Sequence, residues 1–136
     1  MTLIEVKDDF GFLSSWEERY EYIIDLGRDL GEFPDAQKNE LNRVKGCMSQ
    51  VWILPSWERS GGEPRLRIAA ASDSSIVSGL AALMQLLYEG KTPAEAVEVD
   101  AAALFEELQL AEHLSPSRRN GLAALEQRIR EFISSA

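Results

Sequence analysis

One cysteine and one histidine stand among 136 residues, so the commonest metal and redox chemistries are out of reach from the start. A single thiol, Cys47, forms no internal disulfide and builds no self-contained zinc or iron–sulfur site; a single imidazole, His113, excludes two-histidine motifs such as HExxH. The chain also lacks GxGxxG and GxxxxGK[ST] runs, which removes the usual phosphate-cradling loops. Long apolar stretches are missing as well. The greasiest, LAALMQLLY from Leu80 to Tyr88, is far shorter than the roughly 20 residues of a membrane span, and MTLIEVKDDF reads as neither a signal nor a transit peptide. Positive charge is scarce: 14 basic against 23 acidic residues give a net charge of -9. Such a surface repels phosphate backbones and anionic lipid, so neither nucleic acid nor membrane is an expected partner. These exclusions predict a soluble, cytoplasmic protein without a bound cofactor or metal.

What is present is an ordinary globular composition, 45% hydrophobic and 27% charged, in a length that suits one domain over residues 1–136. The first thirteen residues are expected to be loosely ordered. Ser14 or Ser15 followed by a glutamate three positions on makes a capping box, and Trp16, Tyr20, Ile23, Gly27 and Leu30 recur at helical spacing, predicting a helix over 15–30 closed by Gly31. Acidic residues along it, such as Glu17, Glu21 and Asp25, read as a solvated face. Residues 32–46 are polar and without period, hence loop with at most one helical turn. QVWILPSW and PRLRIAAAS, separated by RSGGE, predict an antiparallel hairpin in which Pro55 marks an edge or a bulge. Ser72 or Asp73 can cap the next helix, whose apolar residues Ile76, Val77, Leu80, Leu83, Met84 and Leu87 make it central. Gly90 ends it, Thr92-Pro93 and Glu95 open a short successor, a helix follows over 101–110, and Ser115-Pro116 start the last, with Leu122, Leu125, Ile129, Phe132 and Ile133 as its buried stripe. The fold class is α+β, a small antiparallel sheet packed by helices.

The chemistry concentrates at RVKGCMSQVWIL. A lone cysteine is either a small apolar plug or a reactive sulfur. Here Gly46 gives the backbone freedom to turn, the preceding stretch is polar, and Arg43 and Lys45 favour thiolate over thiol, lowering the pKa below the free value of about 8.5. A cationic loop is a local exception on an acidic chain. Without a neighbouring base, metal or second cysteine, such a thiol can still attack a sulfur already activated on another molecule, by thiol–disulfide exchange chemistry, and carry that sulfur away.

Four segments then resemble the SufE family in the family's order: RYEYIIDLGRDL, NRVKGCMSQVW, ASDSSIVSGLAAL with GKTPAEA, and HLSPSRRNGL. The resemblance covers about Trp16 to Ile133. It implies a SufE/IscU-like fold and a sulfur acceptor that takes persulfide sulfur from a SufS-type cysteine desulfurase, stimulates it, and passes the sulfur to an iron–sulfur cluster scaffold such as SufBCD. Pyridoxal phosphate would reside on the desulfurase. Cys47 aligns with the acceptor cysteine, and Gly46, Arg43, Lys45, Asp73, His113 and Arg118 become candidates for contacting the partner or positioning the loop. Three of them have a plainer role beside it: Asp73 as a helix N-cap, His113 as a cap on the carbonyls of the preceding helix, and Arg118 as a solvated arginine or one paired with a carboxylate such as Asp73. Arg118 is the signature arginine and Arg119 the variable position; Met48 stands where many relatives carry glutamine. The Cys47 loop is expected to alternate between a form tucked near Trp52 and one extended into the partner. Other possibilities are a non-covalent activator of the desulfurase in which Cys47 is incidental, and a one-cysteine peroxidase.

Overall fold

A computed structural model describes residues 2–46 and 49–135. Cys47 and Met48 lie outside the described residues, and with them the expected tucked and extended forms of the loop. In chain order the elements are α1 (Leu3–Phe12), α2 (Trp16–Gly27), β1 (Val51–Glu58), β2 (Arg65–Ser72), α3 (Ser75–Tyr88), α4 (Pro93–Val97), α5 (Ala101–Glu107), α6 (Leu110–His113) and α7 (Pro116–Ser134). The architecture is α+β, a two-stranded antiparallel sheet among helices.

The expectation of a loose start is corrected by α1. Thr2 caps it by accepting the Glu5 N–H, Val6 and Phe10 are buried one turn apart, and Tyr22 donates to Asp9 Oδ2 at 2.6 Å. Arg19 from α2 donates to the carbonyls of Phe10 and Leu13 at the end of α1 and lies over the rings of Phe10 and Trp16. Two buried side chains and a supplied C-terminal cap are enough to hold a short helix that carries three acidic residues, Glu5, Asp8 and Asp9.

α3 is the central element, with Leu80, Leu83, Met84 and Tyr88 fully buried and α1, α2, β2 and α7 packed around it. Its closest neighbour is α2, where two glycines meet. A Cβ on Gly79 would stand 2.0 Å from the Ile23 carbonyl oxygen, and one on Gly27 would stand 2.7 Å from the Gly79 nitrogen. The helix backbones touch because neither position has a side chain. α2 itself starts on Ser15, which accepts the Glu18 N–H, while the Glu18 carboxylate accepts from the hydroxyls of Ser14 and Ser15. It ends at Gly27, short of the expected residue 30. Gly31 follows with φ +84°, and most of the acidic residues on α2 are exposed.

The expected antiparallel hairpin forms, with Val51 opposite Ser72 and Trp57 opposite Leu66, and it turns Val51, Ile53, Leu66, Ile68 and Ala70 into the core. Its edges are closed without further full strands. On the β2 side, Leu66 exchanges backbone bonds with Lys91 and Gly90, and Ile68 donates its N–H to Glu89 Oε1 at 2.6 Å and accepts from Gln85 Nε2 at 2.7 Å. The backbone groups of Ile68 therefore point away from β1, so Pro55 opposite it sits at a wide, non-hydrogen-bonded pair where its missing N–H opens no gap in the ladder. That is the edge position the sequence allowed for.

Further along, Gly90 has φ +76° and the Thr92–Glu95 capping box is complete. The helix expected over 101–110 breaks after Glu107, because Gln109 takes a left-handed conformation, φ 58°, before α6 begins. Ser115 caps α7, which buries Leu122, Leu125, Ile129 and Ile133. Phe132, expected in that stripe, is instead half-buried and stacks on Trp57 with ring centroids 5.7 Å apart.

Candidate functional site

The cysteine belongs in sequence to a connection whose two ends are tied down. Ahead of it, residues 42–44 run antiparallel to the start of β1: Val44 donates to the Val51 carbonyl at 2.8 Å, Ile53 donates to the Asn42 carbonyl at 2.9 Å, and Arg43 pairs with Trp52 in an isolated bridge. This short strand-like stretch departs from the expected loop over 32–46, whose one allowed helical turn is present. A 3-10 turn at Asp35–Gln37 precedes it, and buried Asn42 fixes the junction, donating from Nδ2 to the backbone and side-chain oxygens of Gln37. After the cysteine, Gln50 donates to Asp73 Oδ1 at 3.0 Å and accepts from the Asp73 N–H at 3.2 Å. The two ends of the connection thus lie where β1 begins and β2 gives way to α3, one held by the Val44–Val51 backbone bond and the other by the Gln50 backbone, whose N–H meets the Asp73 carboxylate and whose carbonyl meets the Asp73 N–H.

Within it Gly46 has φ +88°, a left-handed conformation that favours glycine, and a Cβ there would meet nothing nearer than Ala124 Cβ at 4.0 Å. The glycine is required by backbone geometry and not by crowding. Lys45 is exposed; Arg43 is half-buried and lies 3.5 Å from Glu40. A groove of about 440 Å³ runs between this approach strand and α7, bordered by Arg43, Lys45, Ala124 and Arg128 among others. Arg128 is a residue the sequence reading missed: it donates to the carbonyls of Leu41 and of Arg43, the latter at 3.2 Å. A guanidinium bonded to main-chain oxygens leaves no signature in a sequence, since any residue supplies such an acceptor.

Asp73 does not cap α3. Ser74 does, accepting the Val77 N–H, while Ser72 Oγ accepts the Ser74 N–H and the Asp73 carboxylate turns to Gln50. Three capping residue types stand in a row at 72–74, and the pull of the Gln50 amide decides which one is displaced. His113 ends α6, with Nδ1 directed as a donor to the carbonyl of Gln109 at 3.2 Å; Gln109 is the N-cap residue of α6 itself and lies beyond the last turn of α5, so this contact is not the expected cap on the carbonyls of the preceding helix. It also stacks on Trp16 at 3.8 Å between ring centroids, and its carbonyl accepts the Tyr20 hydroxyl. Arg118 is exposed, and among the described residues its side chain has no ion pair with Asp73 or another carboxylate. Arg43, Lys45, Gly46 and Asp73 are therefore gathered at one connection; among the described residues, no hydrogen bond or ion pair ties the side chains of His113 or Arg118 to it. No three His, Cys, Asp or Glu side chains among the described residues converge as metal ligands, and no helix of the described residues is long and apolar enough to cross a membrane.

Residues 4–133 match the family model of SufE, the Fe-S metabolism associated domain. The chain belongs to the SufE family. It is 40% identical over 129 residues to an uncharacterized SufE-like protein of Rhizobium meliloti (strain 1021), covering 95% of this chain and 92% of that one. It is 39% identical to one of Rhizobium etli, covering 96% of this chain and 88% of the relative. The fold is shared with a hypothetical protein of Thermus thermophilus known from a solution structure, with a TM-score of 0.73, 24% identity and coverage of 100% and 98% of the two chains. SufE membership places the chain in iron–sulfur metabolism.

Proposed function

We propose that this SufE-family chain accepts sulfur on Cys47 from the persulfide of a SufS-type cysteine desulfurase, thereby stimulates that enzyme, and delivers the sulfur to an iron–sulfur cluster scaffold of the SufBCD type in the cytoplasm. The Cys47 thiolate attacks the outer sulfur of the donor persulfide. The donor's S–S bond breaks, its cysteine leaves as a thiolate, and a new S–S bond stands on Cys47, with no net oxidation. Pyridoxal phosphate does its work on the desulfurase, upstream of this step.

One observation carries the reading: in a chain matched to SufE over nearly all its length, the sole thiol falls in the connection bounded by Val44–Val51 and by Gln50–Asp73. Such a frame fixes where the connection starts and ends while leaving its centre to be presented to a partner. Arg43 and Lys45, close to Cys47 in sequence, favour a thiolate over a thiol. Desulfurase turnover measured with and without the chain tests it. Wild type stimulates and Cys47→Ser does not; full stimulation by Cys47→Ser would instead establish an activator that works by docking alone, and consumption of peroxide without any desulfurase would point to a peroxidase.

A further inference from the structure

Strand edges in this molecule are closed by side chains, and one of those closures bears on the sulfur site. In the bridge between Arg43 and Trp52, the flanking bonds run from Val44 to Val51 and from Ile53 to Asn42, so the backbone groups of Arg43 itself face away from β1. On β2 the equivalent outward groups of Ile68 are taken by Gln85 and Glu89. On the approach strand the outward carbonyl is taken by Arg128, whose guanidinium spans the carbonyls of Leu41 and Arg43 from the middle of α7. Arg128 is half-buried, and Ala124, one turn earlier on α7, is the nearest neighbour of Gly46. One face of α7 therefore fixes the backbone that leads into the cysteine.

We propose, resting on the sulfur-carrier reading, that Arg128 is a positioning residue for sulfur transfer: it holds the approach strand against β1 so that the connection carrying Cys47 is offered to the desulfurase in one arrangement. Arg128 touches neither donor nor acceptor sulfur in this account. Its two bonds to neutral carbonyls are charge-assisted, and both lapse together when the fork is removed. The strand then pairs with β1 through the Val44–Val51 and Ile53–Asn42 bonds alone, and the fraction of molecules with the connection in its transfer-competent arrangement falls. Affinity for the donor is reduced by that fraction, whereas molecules already docked react as before.

The experiment is the rate of sulfur uptake, read by intact mass at increasing concentrations of this chain against a fixed amount of desulfurase with cysteine, alongside amide hydrogen exchange. Arg128→Ala raises the concentration giving the half-maximal rate about five- to tenfold and leaves the saturating rate within about twofold. Exchange accelerates at the Val44 and Ile53 amides but not in α7 at Leu125. Arg128→Lys, which reaches one carbonyl, falls between the two. Uptake by Arg128→Ala with a wild-type half-maximal concentration overturns the proposal while leaving the carrier reading intact, as does faster exchange spread evenly through α7 and the core. Absence of sulfur on wild type overturns the carrier reading and takes the proposal with it.

Discussion

The contact between α2 and α3 and the connection around Cys47 are built on opposite principles. Where the helices meet, Gly27 and Gly79 bring backbone against backbone, and a single added carbon on Gly79 would stand 2.0 Å from an oxygen that cannot move without breaking α2. At Gly46 there is space: a Cβ there would meet only Ala124 Cβ, at 4.0 Å, and order comes from hydrogen bonds at the ends of the connection. Apolar contact at the first place gives rigidity that any added volume disturbs. Polar anchoring at the second gives definition that can be loosened locally without unfolding the protein. The proposed sulfur transfer would draw on both, a fold that holds and a connection that can be offered to a partner.

The sharpest way to break the contrast is Gly79→Ala. Overpacking against fixed backbone destabilises the fold by about 3 kcal/mol, more than the gain in helix propensity returns. Urea denaturation checks it as a lowered midpoint with an unchanged slope, and sulfur uptake per folded molecule stays at the wild-type value. Asp73→Ala acts at the other region and more gently. Loss of the exposed acceptor for the Gln50 amide costs about 1 kcal/mol or less, and hydrogen exchange at Gln50 speeds up while the α2–α3 amides keep their protection. Asp73→Asn, which retains an acceptor oxygen, restores most of that protection. Equal loosening of both regions by Asp73→Ala would deny that they are independent.

The smallest effect is one of pH at the start of α2. Hydrogen bonds from Ser14 and Ser15 hold the Glu18 carboxyl below the usual carboxylate range. A pKa depressed by folding means that the folded chain binds fewer protons, so the contribution is present above the ordinary carboxylate pKa and is lost as pH falls through the folded value. Wild type therefore loses slightly more stability than Glu18→Gln on acidification through that range, read by thermal melts at matched ionic strength. A Glu18→Gln variant with the same or a steeper acid loss would contradict the assignment.

Most of the fold was legible because its punctuation is local. Ser15, Thr92 and Ser115 cap helices as their neighbours imply, Gly31 and Gly90 adopt the positive φ their positions require, and RSGGE lies in the turn that joins the two antiparallel strands. What was illegible depends on distant partners. α1 stands because Arg19 and Tyr22 reach back to it, Asp73 abandons its capping role for Gln50, and residues 42–44 become a strand because Asn42 and Val44 find backbone partners in β1. At the candidate site Gly46, with its positive φ, and the cations Arg43 and Lys45 could be picked out from the residues alone. The tether from Arg128 could not, since its acceptors are main-chain oxygens.

The most direct measurement is intact mass after the chain has been incubated with desulfurase, pyridoxal phosphate and cysteine. The account predicts one added sulfur on wild type, removed by a thiol reductant, and none on Cys47→Ser. Sulfur on Cys47→Ser, or its absence from wild type while the desulfurase is still stimulated, would contradict it.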